Sequence, residues 1–372
     1  MKFNKLKKRV IAGVISAAVA VSAFSVPAEA AGLGDILGIG ASIASYAAQR
    51  EQVDKQLKFM NTTPEGQEQL FEYFKQQRGV NDNPAYTQKM DRIMNNLLTA
   101  VNEVDPDNEN KLPYRYFVTQ DMSVNAACAM GHVMMVNTGT FDHLPTEDEV
   151  AAVVGHELGH GQKNHAIKGI KSQINNQLLA RVGSAAMGST ALANIVGNLA
   201  LVQANSHGDK GKEWEADKLS FEYITRTNYN PGACAAVMQR FIELYGAQKQ
   251  SGTDLIFNPS DHPNSEARRD KYLKLLHEYS GKKVSMKDGE VKVDGKKFVT
   301  PVAAGGLSQM ARSCFVLGNL ASAYKHGQGK EEAYAKNGTV MLGNQPILTP
   351  VAGDETAEVL AARLNEIRKI AK

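Results

Sequence analysis

The chain has 372 residues, 43% of them hydrophobic and 22% charged, with 32 Gly and 12 Pro. These are the proportions of a folded protein rather than a disordered or collagen-like one. Its formal net charge is +3, but five positives (Lys2, Lys5, Lys7, Lys8 and Arg9) precede residue 10. Without the first thirty residues, 37 basic residues face 38 acidic ones, a net of −1, so no basic excess favours nucleic acid.

The basic head is followed by the apolar run Val10 to Val26, then Pro27 and the small-x-small site Ala28-Glu29-Ala30. This is the pattern of a secretory signal peptide over residues 1–30. An uncleaved anchor is the alternative, but the uncharged run is shorter than the ~20 residues a spanning helix needs. No Cys follows the cleavage site, so lipid anchoring is not indicated. Cys128, Cys234 and Cys314 are too few and scattered for a disulfide framework, and none forms a C-x-x-C pair. They read as small apolar filler.

Residues 31–82 form a helical N-terminal segment. Pro84 opens a second helical pattern, with Tyr86, Met90, Ile93, Met94, Leu97, Leu98 and Val101 on one face. Asp105 to Asn110 lacks the Gly and distal Glu of a calcium loop and reads as a surface turn. Tyr114 to Val118 alternates like a strand, and Asn125 to Thr138 contains a second strand centred on His132 to Val136. Thr146-Glu147-Asp148-Glu149 has the capping-box form and precedes the apolar stripe Val150, Val153, Val154 and Leu158, so a helix starts near Thr146.

Val182 to Val202 carries no charge. Five polar residues interrupt it, and its Gly, Ala and Ser content suits tight helix packing; membrane contact is the alternative. Near the C-terminus, Lys287-Asp288-Gly289 to Gly295 recurs 49 positions later as Lys336-Asn337-Gly338 to Asn344, and Thr300-Pro301-Val302-Ala303 recurs as Thr349-Pro350-Val351-Ala352. Asp-Gly and Asn-Gly between alternating runs signal hairpins, so each copy reads as a β-meander followed by a helix.

His156-Glu157-Leu158-Gly159-His160 lies inside the capped helix. A spacing of four places both imidazoles on one face, within reach of one metal ion, and zinc suits such ligands. Glu157 projects beside them, where it can take a proton from water activated at the metal. The bare string is shared by helices with two surface histidines. A catalytic zinc needs a third protein ligand, and Glu213-Trp214-Glu215-Ala216-Asp217 follows in a helix-compatible stretch. One carboxylate there can complete the site. If it is Glu213, Asp217 on the same face can accept the ring N–H of a ligand histidine, while Glu215 points elsewhere. An exposed acidic helix face is the alternative for this cluster.

H-E-x-G-H followed by E-x-x-A-D resembles peptidase family M48, the gluzincin group that includes the CAAX prenyl endopeptidases, HtpX and bacterial periplasmic relatives. The likeness runs from about Asn83 to Tyr279 and includes Asn125-Ala126 to Gly139, Gly159, His165, and Asp261-His262-Pro263 with Arg268. The resemblance implies that His156, His160 and Glu213 bind one Zn2+, that Glu157 is the general base and acid, and that the strand near Met130 to Val136 offers its edge to an extended peptide. It further implies that His262 and Arg268 face the oxyanion. The expected fold is α+β and mainly helical: a gluzincin-type metallopeptidase domain over 83–280 with a short sheet, then a duplicated β-meander/helix module over 281–372. The expected function is an exported, periplasmic or extracellular zinc metalloendopeptidase acting on unfolded polypeptides of the cell envelope. A non-catalytic zinc-containing chaperone and a membrane-embedded processing protease are the alternatives, and no partner is assigned to the C-terminal module.

Overall fold

The structure is a computed structural model that describes residues 51, 54–55, 57–106, 112–172, 210–245 and 265–370. The signal-peptide reading, Val182 to Val202 and His262 lie outside them. Helix α1 spans Pro64–Arg78, capped by the Thr63 hydroxyl, which accepts from the Gly66 amide. Helix α2 spans Pro84–Val104 with Pro at its first turn, where no amide partner is lost. It buries Met90, Ile93, Met94, Leu97 and Val101, the face expected from their spacing.

A three-stranded sheet follows, built from β1 (Arg115–Thr119), β2 (Ala126–Ala129) and β3 (Val133–Asn137). Its order is β1-β3-β2, with β1 parallel and β2 antiparallel to β3. Both faces are covered, as the period of two requires. Phe117, Ala127, Val133 and Met135 pack with Leu70, Phe71 and Phe74 of α1, whereas Val118, Ala126, Cys128, Met134 and Val136 join the main core with α2.

The stretch Asn125 to Thr138, expected to contain one strand centred on His132 to Val136, holds two. A short turn at Met130–His132 separates them, with Gly131 at φ 72° and His132 at φ 57°. Gly accepts positive φ freely, but His does so at a cost. The turn is held by its surroundings: the Gln67 amide donates to the carbonyls of Pro113 and Gly131, and the Gly131 amide donates to Asn61 Oδ1. The His132 ring stacks on Tyr114 with centroids 4.2 Å apart. Strand β3 is therefore the middle of the sheet, and β1 and β2 are its two edges.

After the short helix α3 (Thr138–His143), helix α4 spans Glu147–Gln162. The capping box at its start is complete: the Thr146 hydroxyl accepts from the Glu149 amide, and the Glu149 carboxylate accepts from the Thr146 amide. Helices α5 (Lys210–Ile224) and α6 (Ala233–Tyr245) pack against it, and α7 (Ser265–Tyr279) packs against these two. Beyond α7, β4 (Val284–Lys287), β5 (Glu290–Val293) and β6 (Lys296–Val299) form an antiparallel meander, followed by α8 (Gln309–Lys325). A second meander, β7 (Ala333–Lys336), β8 (Thr339–Leu342) and β9 (Gln345–Leu348), precedes α9 (Ala357–Ile370). Asp288-Gly289, Asp294-Gly295 and Asn337-Gly338 all take positive φ at the hairpin turns, as such pairs do. One continuous apolar core runs from α2 through α6 and α8 to α9. Among the described residues, no helix is long and apolar enough to cross a membrane.

Candidate metal centre

Helix α4 is buried along nearly its whole length and carries His156, Glu157 and His160 into the core. Its partner α5 approaches closely because the facing residues are small. A Cβ at Gly159 would lie 3.0 Å from the Ala216 Cα and 3.1 Å from the Ala216 carbonyl oxygen. One turn earlier, Gly155 faces Ser220, whose hydroxyl donates to the Ala152 carbonyl. This seam brings the first turn of α5 against the two histidines.

There the structure brings together three of the expected residues. Glu213 is fully buried, with Oε2 3.4 Å from His156 Nε2 and Oε1 3.3 Å from His160 Nε2. The two Nε2 atoms are 3.1 Å apart. Zinc at ~2.0–2.1 Å from each donor in a tetrahedron requires donor separations of about 3.3–3.4 Å, so two imidazoles and one carboxylate fit it in chemistry and spacing. Among the described residues, these three form the group able to hold a metal ion.

The surroundings favour a cation. Burial and the Arg268 guanidinium oppose charge on His156, yet hydrogen bonds to Asp217 and Glu213 outweigh them and hold its ring up at about 9. Asp217 lies 3.0 Å from His156 Nδ1, accepts from the Tyr272 hydroxyl at 2.8 Å, and takes Arg268 Nε and Nη2 at 2.9 and 2.5 Å. Burial alone would raise its pKa; the Arg268 charge and the His156 bond instead hold the carboxyl well below the usual range.

Glu157 is buried beside the ligands, and its Oε2 accepts from the Cys128 amide of β2 at 3.1 Å. Burial pushes its carboxyl up to about 7; His156 opposes the rise and Glu213 adds to it. The Cys128 amide thus points away from β3, toward the outer edge of the sheet.

One expectation needs correction: the peptide-accepting edge cannot be β3, because β1 and β2 flank it on both sides. The Arg268 guanidinium grips Asp217 in a buried fork, with Nη1 3.8 Å from Glu213 and Nη2 3.2 Å from His156 Nδ1.

The sequence reading also missed a contact. Glu215 points away from Glu213, but that direction leads to His165, whose Nε2 is 3.0 Å from Glu215 Oε2 and whose Nδ1 is 3.0 Å from His160 Nδ1. Lys163 and Asn164, the latter at φ 52°, break the helix after α4 and set His165 at the start of the following helical turn. The signal was present as a histidine five residues after His160, but its partner is fifty residues away.

Residues 84–275 match Peptidase family M48. Metalloprotease LoiP of Escherichia coli (strain K12) is 29% identical over 174 residues, covering 46% of this chain and 66% of its own length. The beta-barrel assembly-enhancing protease of the same strain is 24% identical over 183 residues, 46% of this chain and 36% of its own. Mitochondrial metalloendopeptidase OMA1 of Arabidopsis thaliana is 24% identical over 135 residues, 36% of this chain and 27% of its own. The chain thus spans less than two thirds of the length of each of these relatives. With the family match covering more than half of its residues, and the H-E-x-G-H helix and Glu213 both inside the matched stretch, this chain belongs to peptidase family M48.

Proposed function

We propose that the chain is a zinc-dependent metalloendopeptidase in which His156, His160 and Glu213 hold the metal and Glu157 is the general base and acid. One observation carries this reading: three donors from two helices stand at the edge lengths of a zinc tetrahedron, with a buried carboxylate beside them. When bound, zinc supplies a Lewis acid that polarises a carbonyl and acidifies water. Glu157 takes the proton from the attacking water and returns it to the departing amine. Its proton affinity near neutrality and its tether to the Cys128 amide suit that exchange. Asp217 accepts the His156 Nδ1–H and so fixes the ring, and Arg268 in turn positions Asp217.

The outer edge of β2 is the proposed seat for substrate: the Cys128 amide meets Glu157 there, so an extended peptide added to that edge would lie beside the carboxylate. His262 is retained, on family resemblance, as the donor to the oxyanion. The amino-terminal signal pattern supports export to the periplasm or exterior, with unfolded envelope polypeptides as substrates. The division into 31–82, 83–280 and 281–372, the last a duplicated module, belongs to the same proposal.

Glu157→Gln tests it. The variant retains one zinc per chain by metal analysis and loses hydrolysis of casein; undiminished hydrolysis would remove Glu157 from the mechanism.

A further inference from the structure

Ligation through Nε2 leaves His160 with a proton on Nδ1, because a neutral imidazole has one N–H and the metal occupies the other nitrogen. That proton needs an acceptor in a buried site. The atom facing it at 3.0 Å is His165 Nδ1, which can accept only if the His165 proton resides on Nε2. His165 Nε2 in turn lies 3.0 Å from Glu215 Oε2, which accepts it. Each proton then has one place, and each nitrogen one role. His165 is buried, whereas the Glu215 side chain is 49% exposed, so the chain of bonds starts at the candidate metal centre and ends at solvent.

We propose that His165 and Glu215 form a second positioning arm of the metal centre, fixing His160 in the tautomer that ligates through Nε2, as Asp217 does directly for His156. The proposal rests on the metallopeptidase reading above. It differs from a core histidine satisfied by its neighbours in one respect: the direction of both hydrogen bonds is dictated by ligation at the far end. One turn of α5 serves both rings. Glu213 reaches the metal position, Asp217 turns toward His156 on the same face, and Glu215 on the other face reaches His160 through His165.

The test uses the full-length chain and zinc itself. Zinc dissociation constants are measured by competition with a chromophoric chelator for wild type, His165→Phe, His165→Gln and Glu215→Ala, with circular dichroism to establish folding. Removing the acceptor in His165→Phe weakens zinc binding about 10–100-fold, the usual effect of losing such a partner. His165→Gln, whose amide oxygen can accept the His160 proton, restores most of it. Glu215→Ala, at the half-exposed end, leaves the fold intact and weakens zinc binding, so it carries the test even where His165→Phe fails to fold. In zinc-loaded wild type, long-range proton–nitrogen spectra of labelled histidine show the proton of His160 on Nδ1 and that of His165 on Nε2. Unchanged zinc affinity in His165→Phe and Glu215→Ala, or a proton on His165 Nδ1, overturns the arm while leaving the metal centre standing. A wild-type chain that binds no zinc overturns both.

Discussion

Gly159→Ala isolates the helix seam that places the third ligand. The added methyl would sit 3.0 Å from the Ala216 Cα, 3.1 Å from the Ala216 carbonyl oxygen and 3.3 Å from the Leu219 Cβ. Carbon atoms in contact settle at ~3.5–4.0 Å, so the shortfall is about 0.5–1 Å. Its main obstacle is backbone, which cannot rotate aside, and α5 must move away from α4. Overpacking of this kind costs about 1–3 kcal/mol, offset by the roughly 1 kcal/mol that Ala gains over Gly inside a helix. The net loss of stability is small. Glu213, three residues before Ala216 on the same helix, travels with it, and its separations of 3.3 and 3.4 Å from the two imidazoles open toward about 4 Å, beyond what one tetrahedral zinc can span.

The expected result is therefore a dissociation between two measurements. By chelator competition, zinc binding weakens at least about 10–100-fold, the scale of losing one supporting contact. Casein hydrolysis falls about 100-fold, the penalty of ångström-scale misplacement. The thermal midpoint shifts by only a few degrees, about 1–2 °C per kcal/mol for a chain of this size. Gly155→Ala is the comparator, because its methyl meets the Ser220 hydroxyl at 3.1 Å, a group that can rotate. It loses less of both. A Gly159→Ala protein that binds zinc and cleaves casein like wild type would refute the seam as the device that positions Glu213.

Three further outcomes follow from the same geometry. Thr146→Ala removes the hydroxyl that accepts the Glu149 amide and donates to its carboxylate, lowering stability by about 1 kcal/mol in urea unfolding. Asp217→Asn leaves the buried Arg268 charge without its carboxylate, a loss on the order of 3–5 kcal/mol, and the thermal midpoint and zinc affinity fall together. Asp354 accepts the amides of Val302 and Val351 and pairs with Arg312 at 2.9 Å, bonds that overcome its burial and depress its pKa. Its contribution is complete above the unfolded value near ~3.9 and is lost as pH falls through the lower folded value. Acid titration of stability below about pH 5 is consequently shallower in Asp354→Asn than in wild type.

What the sequence disclosed was what local chemistry determines. The start of α4 follows from four consecutive residues, Thr146 to Glu149, and the buried face of α2 from the spacing of Met90, Ile93, Met94, Leu97 and Val101. The pairing of His156 with His160 follows from one helical turn. The hairpin between β2 and β3 was not legible. Its turn uses Met130-Gly131-His132 instead of an Asn-Gly or Asp-Gly pair, and the positive φ of His132 is imposed by Gln67, Asn61 and Leu112 from elsewhere in the chain. The partners of Arg268 were hidden for a similar reason: its guanidinium direction is set by Asp217 and Glu213, more than fifty residues earlier on α5.

The same reasoning explains why Gly and Ala belong in the two motifs as firmly as the ligands do. His156 and His160 could share a face on any helix, but a carboxylate on a second helix reaches both only if the axes come close, and side chains larger than those at Gly159 and Ala216 would hold them apart. Close packing also has an electrostatic consequence. It buries Glu213, Asp217 and Glu157 within one small volume that, among the described residues, holds a single arginine, Arg268, already paired with Asp217. Two carboxylates and two imidazoles remain for a divalent ion to organise. The small residues of the seam thus determine the spacing of the donors and the charge of the pocket at once.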